Sequence, residues 1–296
     1  MSADERTRYD RQVRLWGKAT QQQLQLTEVR VNGVASATAE VAKNLVLAGV
    51  RSVVVEDEST IDATDLKTSF LVQGCDIGQS RGGASTKRLQ SLNPYVAVHL
   101  AQNTDGARAV TTTGAPFRVT IARFKSIAEA FQEIHNPQNT VTDLVVLVAN
   151  LGYLTMGLLL PRRGKFLYKE QLNLLLETNV SCRPAVFQRS LLLLRMMECP
   201  AGLTFFERLA FASGVVVKHN LKQLSREDVE FAAGVSPQHL SGTAIESTIA
   251  GGVIAQLIIH EVGSAKAALP SNESYAWAVC NNNGATNVQV GHLLPR

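Results

Sequence analysis

The sequence predicts an α/β fold built on a predominantly parallel sheet, and three stretches carry that prediction. Residues 28–57 read as strand, tight turn, helix, strand and acidic residue. Residues 144–149 are an unbroken apolar run, as expected of a strand buried on both faces. Residues 244–263 form one long apolar helical pattern. Two short alternating stretches follow, 275–280 and 286–290, with an Asn-Gly pair between them; they read as a β-hairpin.

Bulk properties agree with a globular α/β chain. A length of 296 residues can bury a large core, and 18% charged residues with a mean hydropathy of +0.03 exclude a disordered class. A net charge of +4, scattered along the chain, gives no footprint for nucleic acid, and no nucleic-acid partner is expected. Cys75, Cys182, Cys199 and Cys280 form no Cys-x-x-Cys pair, so no structural zinc or other metal is expected. They read as reduced, buried thiols of an intracellular protein, and Cys182 as a lone structural cysteine. The charged N-terminus lacks the apolar core of a secretory signal. Residues 144–160 carry no charge but sit at the bottom of the spanning range of roughly 17–25 residues. Asn150, Gly152 and Gly157 interrupt them, so the expected reading is a buried strand followed by a loop or helix start, with no membrane partner.

Taken in order, residues 8–17 suit a helix. Tyr9, Val13 and Trp16 share an apolar face, Arg8 and Arg11 form a basic edge, and Asp10 and Arg14 are a favourable i,i+4 pair. Residues 28–32 form the first strand, Gly33 the turn, residues 37–48 a helix stopped by Gly49, and residues 52–55 a second strand ending at Glu56-Asp57. An acid about 20 residues past such a turn is where a nucleotide's ribose hydroxyl would be held. Residues 69–72 lie in a turn-rich stretch. Residues 84–92 read as a helix with Lys87 and Arg88 outward, and Asn93-Pro94 ends it. Residues 96–100 alternate like a strand, 101–116 are polar and turn-like, 117–121 suit a strand and 126–134 a helix. In the middle, 168–176 and 187–197 look helical, and Ser225 to Asp228 resembles a capped helix start. Gly251-Gly252 inside the long helix costs roughly 1 kcal/mol per glycine relative to alanine, which points to close backbone packing there.

These residues resemble a known family. RYDRQVRLWG, AEVAKNLVLAGV, Asp57, IGQSR at 77–81 and Leu92-Asn93-Pro94 are similar to the adenylation domain of ubiquitin-like-modifier activating enzymes. The resemblance covers residues 9–100 and returns over 244–294. Its LWG form and short chain are most similar to the small, non-cysteine subunits of SUMO-activating enzymes. It implies a Rossmann-like, ThiF/MoeB-type adenylation fold with helices on both sheet faces and a closing helix plus hairpin. It implies a single domain over 1–296, with 161–236 as a variable helical insertion.

Laid on this chain, the family's phosphate-binding pattern departs in three places. Its Gly-x-Gly-Gly-x-Gly falls on residues 33–38, where only Gly33 keeps its glycine and Ala35, Ser36 and Thr38 replace the others. Without glycine, side chains crowd a bound triphosphate. Its Asn-Leu-x-Arg-Gln falls on residues 65–69, which hold neither the arginine nor the glutamine, and its magnesium aspartate falls on Asn150. Asp57 is kept and Arg81 matches a basic position, but neither makes an ATP site alone. The resemblance therefore implies a degenerate site at Gly33, Asp57 and Arg81 that holds no nucleotide. ATP and Mg²⁺ would sit in a large catalytic-cysteine partner, and Arg11 would reach in trans to the γ-phosphate of the partner's ATP. The expected product is a modifier, SUMO by preference, adenylated at its C-terminus and passed to the partner's cysteine, in the nucleus with the cytoplasm as a second location. The competing readings are a NEDD-type regulatory subunit, a ThiF/MoeB-like homodimeric adenylase, a non-enzymatic Rossmann-like scaffold and an NAD-dependent oxidoreductase, the last lacking its glycine fingerprint.

Overall fold

The computed structural model describes residues 3–101, 116–162, 167–178, 180–235, 243–264, 276–281 and 287–293. The chain opens with α1 (Ala3–Leu24), broken at Gly17, whose φ of 88° and ψ of 158° lie outside the helical region. Then come β1 (Thr27–Asn32), α2 (Ala37–Ala48), β2 (Ser52–Glu56), a single turn α3 (Asp65–Thr68), α4 (Arg81–Leu92), β3 (Ala97–Leu100), β4 (Phe117–Arg123) and α5 (Ile127–Ile134). The second half holds β5 (Leu144–Leu151), β6 (Leu154–Pro161), α6 (Tyr168–Leu176), α7 (Ala185–Met196), α8 (Phe205–Lys218), α9 (Arg226–Gly234), α10 (Ala244–Ser264), β7 (Trp277–Asn281) and β8 (Asn287–Gly291).

The sheet has eight strands in the order β3-β2-β1-β4-β5-β6-β7-β8. The first five are mutually parallel, and β6, β7 and β8 each run antiparallel to the strand before them. Between β1 and β4 the strand order reverses, and a ligand crevice opens beyond the carboxyl ends of strands at such a point. Alternate residues of the central strands feed two cores. Val29, Val31, Ile121, Val146 and Val148 pack under α2 and α10. Leu147, Ala149, Met156 and Leu158 pack under α5, α6 and α7. Helices thus cover both faces.

Several expectations change on this frame. Residues 154–161 form β6, a partner strand paired along the whole of β5, rather than a loop or helix start. The glycines that weaken a helix reading do not forbid a strand: Gly157 lies under Ile254, where a Cβ would approach within 2.9 Å. The helix α8 went unread because its capping box, Thr204 with Glu207, follows an ambiguous Pro-Ala-Gly stretch. Helices α6, α7, α8 and α9 follow one another from Tyr168 to Gly234, and Leu191, Leu192, Leu193 and Leu194 are fully buried on the sheet. Arg88, read as outward, is partly buried and bonds Asp76 at 3.1 Å. Cys75 and Cys182 are exposed, whereas Cys199 and Cys280 are buried. Of the glycine pair in α10, Gly251 meets α2 so closely that a Cβ would lie 2.4 Å from the Glu40 Cβ, while Gly252 faces open space. By length and composition α10 could cross a membrane, yet it packs on α1, α2 and β6. The polar stretch 102–115 and the Asn-Gly turn at 283–284 lie outside the described residues.

Candidate functional site

Helix α2 begins at the switch point between β1 and β4 and ends at the opposite, amino-terminal edge of the sheet. At its amino end, β1 delivers Gly33 at φ 78°, and the Gly33 amide bonds the Glu56 carbonyl at 2.9 Å. The next donors are taken from within the protein. The Val34 amide donates to Asp57 Oδ2 at 2.8 Å, and the Ala35 amide donates to Thr38 Oγ1 at 3.1 Å. The Thr38 hydroxyl itself lies 2.6 Å from the Gly33 carbonyl and 2.8 Å from the Ala35 carbonyl. A loop that cradles phosphate presents such amides outward; here a threonine side chain has folded into the loop and bonds it to itself. Ser36 is strained. It holds φ 49° and ψ −124°, a conformation that suits glycine, and its side chain caps nothing.

Asp57 and Arg81 are brought together and bond each other. Arg81 Nε lies 2.8 Å from Asp57 Oδ2 and its Nη2 3.3 Å from Oδ1, while Nη1 reaches Asp65 Oδ1 at 3.0 Å. Gly82 makes this approach feasible, since a Cβ there would stand 2.5 Å from the Asp57 carbonyl oxygen. Burial pushes the Asp57 carboxyl up, but the bond and charge of Arg81 and the Ser59 and Val34 amides outweigh it and hold it below the usual range. Burial likewise pulls Arg81 down, and its bonds to Asp57 and charge beside both aspartates raise it overall. The Asp57 carboxylate is therefore paired with an arginine on α4.

Two further positions complete the crevice. Asn150, at the end of β5, donates from Nδ2 to Thr155 Oγ1 at 3.2 Å, and its Oδ1 is buried without a partner. Arg123 ends β4 beside Gly33, where a glycine Cβ would touch the Arg123 Cβ at 3.5 Å. Burial, then the charge of Arg81, lower the Arg123 pKa, and among the described residues it makes no ion pair. Sequence reading missed Arg123; a basic residue at the end of the strand after the switch point was the available signal.

The carboxyl end of α2 is built differently. Gly49 closes the helix in the left-handed region, with φ 82° and ψ 45°. The last carbonyls of α2 are taken by side chains from elsewhere: Val46 by Asn93 at 2.8 Å, Leu47 by Gln12 at 3.1 Å and Ala48 by Gln21 at 2.8 Å. Tyr9 is buried against this end, and its hydroxyl accepts from Asn93 Nδ2 at 2.8 Å. Val13 and Trp16 are half-buried on the same face. Arg11 stands on the opposite side of α1, exposed, with no ion pair or hydrogen bond among the described residues. Asp10 and Arg14 pair at 2.7 Å on the surface. Arg11 and the Gly33 loop are thus separated by the length of α2, and this chain does not bring them into one site.

Residues 9–134 match the ThiF family model. Over 98 residues the chain is 42% identical to SUMO-activating enzyme subunit 1 of Rattus norvegicus, a stretch that is 33% of this chain and 28% of that protein. Its Homo sapiens counterpart matches at 40% over 98 residues, with the same coverage. Over 94 residues the chain is 44% identical to the NEDD8-activating enzyme E1 regulatory subunit of Caenorhabditis elegans, covering 32% of this chain and 17% of that one. The matched stretch thus spans less than a third of each of these relatives. Among solved structures, E. coli MccB aligns with a TM-score of 0.58 at 13% identity, over 99% of this chain and 71% of MccB. PaaA aligns with 0.60 at 11% identity, over 100% of this chain and 76% of PaaA. At that identity the likeness is one of fold.

Proposed function

We propose that this chain, which carries a ThiF-family domain over residues 9–134, is a regulatory subunit of a heterodimeric ubiquitin-like-modifier activating enzyme. In this reading the chain does not adenylate. Its residues do not fit a nucleotide triphosphate: Thr38 closes the loop on itself, and Arg81 occupies Asp57. Asn150, an amide tied to Thr155, replaces the carboxylate that magnesium requires. ATP and Mg²⁺ belong to a larger partner that also carries the acceptor cysteine. This chain contributes Arg11, whose planar guanidinium can meet charge developing on the partner's nucleotide. The observation that carries the reading is the contrast between the internally bonded loop and an exposed, unpaired Arg11 on a firmly docked helix.

SUMO is the modifier this reading favours, from the relatives named SUMO-activating enzyme subunit 1. The 44% identity to a NEDD8-activating regulatory subunit supports the second reading, a NEDD8-type modifier. The nucleus is the proposed location, with the cytoplasm second.

The test is pyrophosphate exchange by the heterodimer reconstituted with its large subunit, run with SUMO and with NEDD8 in parallel. Arg11→Ala should leave assembly intact and slow exchange by about 10²-fold, the usual loss for one electrostatic stabiliser. Arg11→Lys should recover part of it, because the charge stays and the fork is lost. Arg14→Ala, on the paired surface arginine, should change little. Exchange at the wild-type rate by Arg11→Ala would remove the trans role.

A further inference from the structure

We infer that Tyr9 is a positioning residue, which fixes the rotation of the first helix about its own axis and thereby the direction in which Arg11 leaves it. The inference rests on the proposed role of Arg11 at the partner's nucleotide.

At 100° per residue, Arg11 points about 200° away from Tyr9 around the helix. A rotation of the buried face therefore swings Arg11 by the same angle. The buried face is held by a fitted contact. The Tyr9 ring lies over Gly49 so closely that an alanine Cβ there would stand 2.5 Å from the ring carbon bearing the hydroxyl. The hydroxyl accepts from Asn93 Nδ2 at 2.8 Å, and the same Nδ2 donates to the Val46 carbonyl at 2.8 Å. Asn93 Oδ1 in turn accepts from the Tyr95 amide at 3.2 Å. Asn93 is fully buried, so its position is fixed by these bonds.

Two weaker holds flank this lock. Arg8 donates to the Leu92 carbonyl at 2.7 Å, and Gln12 donates to the Leu47 carbonyl at 3.1 Å. Both lie one turn or less from Tyr9, so they resist tilt. The hinge lies beyond them: Gly17 interrupts α1 with non-helical φ and ψ. Helical continuity with residues 18–24 is therefore broken; Trp16 Nε1 donates to Gln21 Oε1 at 3.0 Å across the break, and the rotation of the segment that bears Arg11 depends on what its own buried face grips. Leu15, one turn from Arg11, is 74% exposed, so among the described residues it is not covered from the outer side.

The test is a double-mutant cycle in the reconstituted heterodimer, with pyrophosphate exchange read beside size-exclusion assembly. Tyr9→Phe keeps the ring and removes the hydroxyl that grips Asn93. It should assemble normally and lower the exchange rate by about 10-fold, less than the ~10²-fold that a 1 Å misplacement costs. In an Arg11→Ala background, Tyr9→Phe should have no further effect, because a positioning residue has nothing left to position. A merely structural role would not produce that dependence. If Arg11→Ala exchanges at the wild-type rate, the reading of Arg11 fails and this inference falls with it. If Arg11→Ala is slow and Tyr9→Phe is not, only this inference is overturned. Equal losses from Tyr9→Phe in both backgrounds would also overturn it, since the hydroxyl would then act elsewhere. Should Tyr9→Phe fail to assemble, Gln12→Ala loosens the same docking from its half-buried edge and must show the same dependence on Arg11, with a smaller loss.

Discussion

The two ends of α2 differ in what their backbone groups bond. At the amino end the donors are met by groups from the loop itself and from Asp57. At the carboxyl end the acceptors are met by Gln12, Gln21 and Asn93, from segments far off in sequence. An end whose Val34 and Ala35 amides are met internally has fewer donors to offer a ligand. An end closed by a second helix becomes a mount for whatever that helix carries, here Arg11. The comparison teaches that a loop's backbone path and the bonding of its amides are set by different residues, here Ser36 and Thr38. Ser36 holds dihedrals that suit glycine, and α2 starts at the turn after β1.

The largest stability effect should come from breaking the ion pair that seals the amino end. Arg81→Met leaves Asp57 and Asp65 buried without their cation, and removing one partner of a buried pair costs about 3–5 kcal/mol. Urea unfolding at neutral pH should show the loss as a lower midpoint. The gap has a pH dependence of definite sign. The folded pKa of Asp57 lies below its ordinary value of 3.8, so its contribution is complete above that pH and is lost as pH falls through the folded value. Wild type and Arg81→Met should therefore converge below about pH 4. A gap that widens in acid would contradict the pairing.

At the carboxyl end, Gly49→Ala adds a methyl at φ 82° in a space already filled by the Tyr9 ring. Strain and overpacking together should cost about 2–3 kcal/mol. Native-state hydrogen exchange should locate the loss in α1 and the last turn of α2. Unchanged protection there would mean that the ring does not grip this turn. The smallest effect goes the other way: Ser36→Gly relieves the amino end and should stabilise by about 1 kcal/mol, with no gain of ATP binding by calorimetry, since Thr38 and Arg81 remain. Micromolar ATP affinity in that variant would show that Ser36 alone closes the loop.

Much of the scaffold was legible because its signals are local. The helix 37–48 was readable to the residue, because Gly33 and Gly49 punctuate an apolar run at helical spacing. The strands 28–32, 52–55 and 144–149 were readable from β-branched and apolar runs, and Gly251 correctly announced a close helix contact. The stretch 154–161 was misread because apolar content alone does not separate a buried strand from a buried helix start. The candidate site was legible as a set of departures from a pattern, at Ala35, Ser36, Thr38 and Asn150.

What the sequence determined by itself was therefore the strand–helix–strand start, the parallel core of the sheet and the identity of the residues that stand where phosphate-binding glycines would. The tertiary structure decided what those residues do. That Thr38 turns into the loop, that Arg81 reaches across to Asp57 and Asp65, that Arg123 ends beside Gly33 and that Asn93 holds both Tyr9 and α2 are contacts between residues up to 90 positions apart. A local pattern fixes backbone conformation over a turn or two. Which polar group satisfies which is settled only when packing buries them together, because burial makes an unmet donor or charge costly.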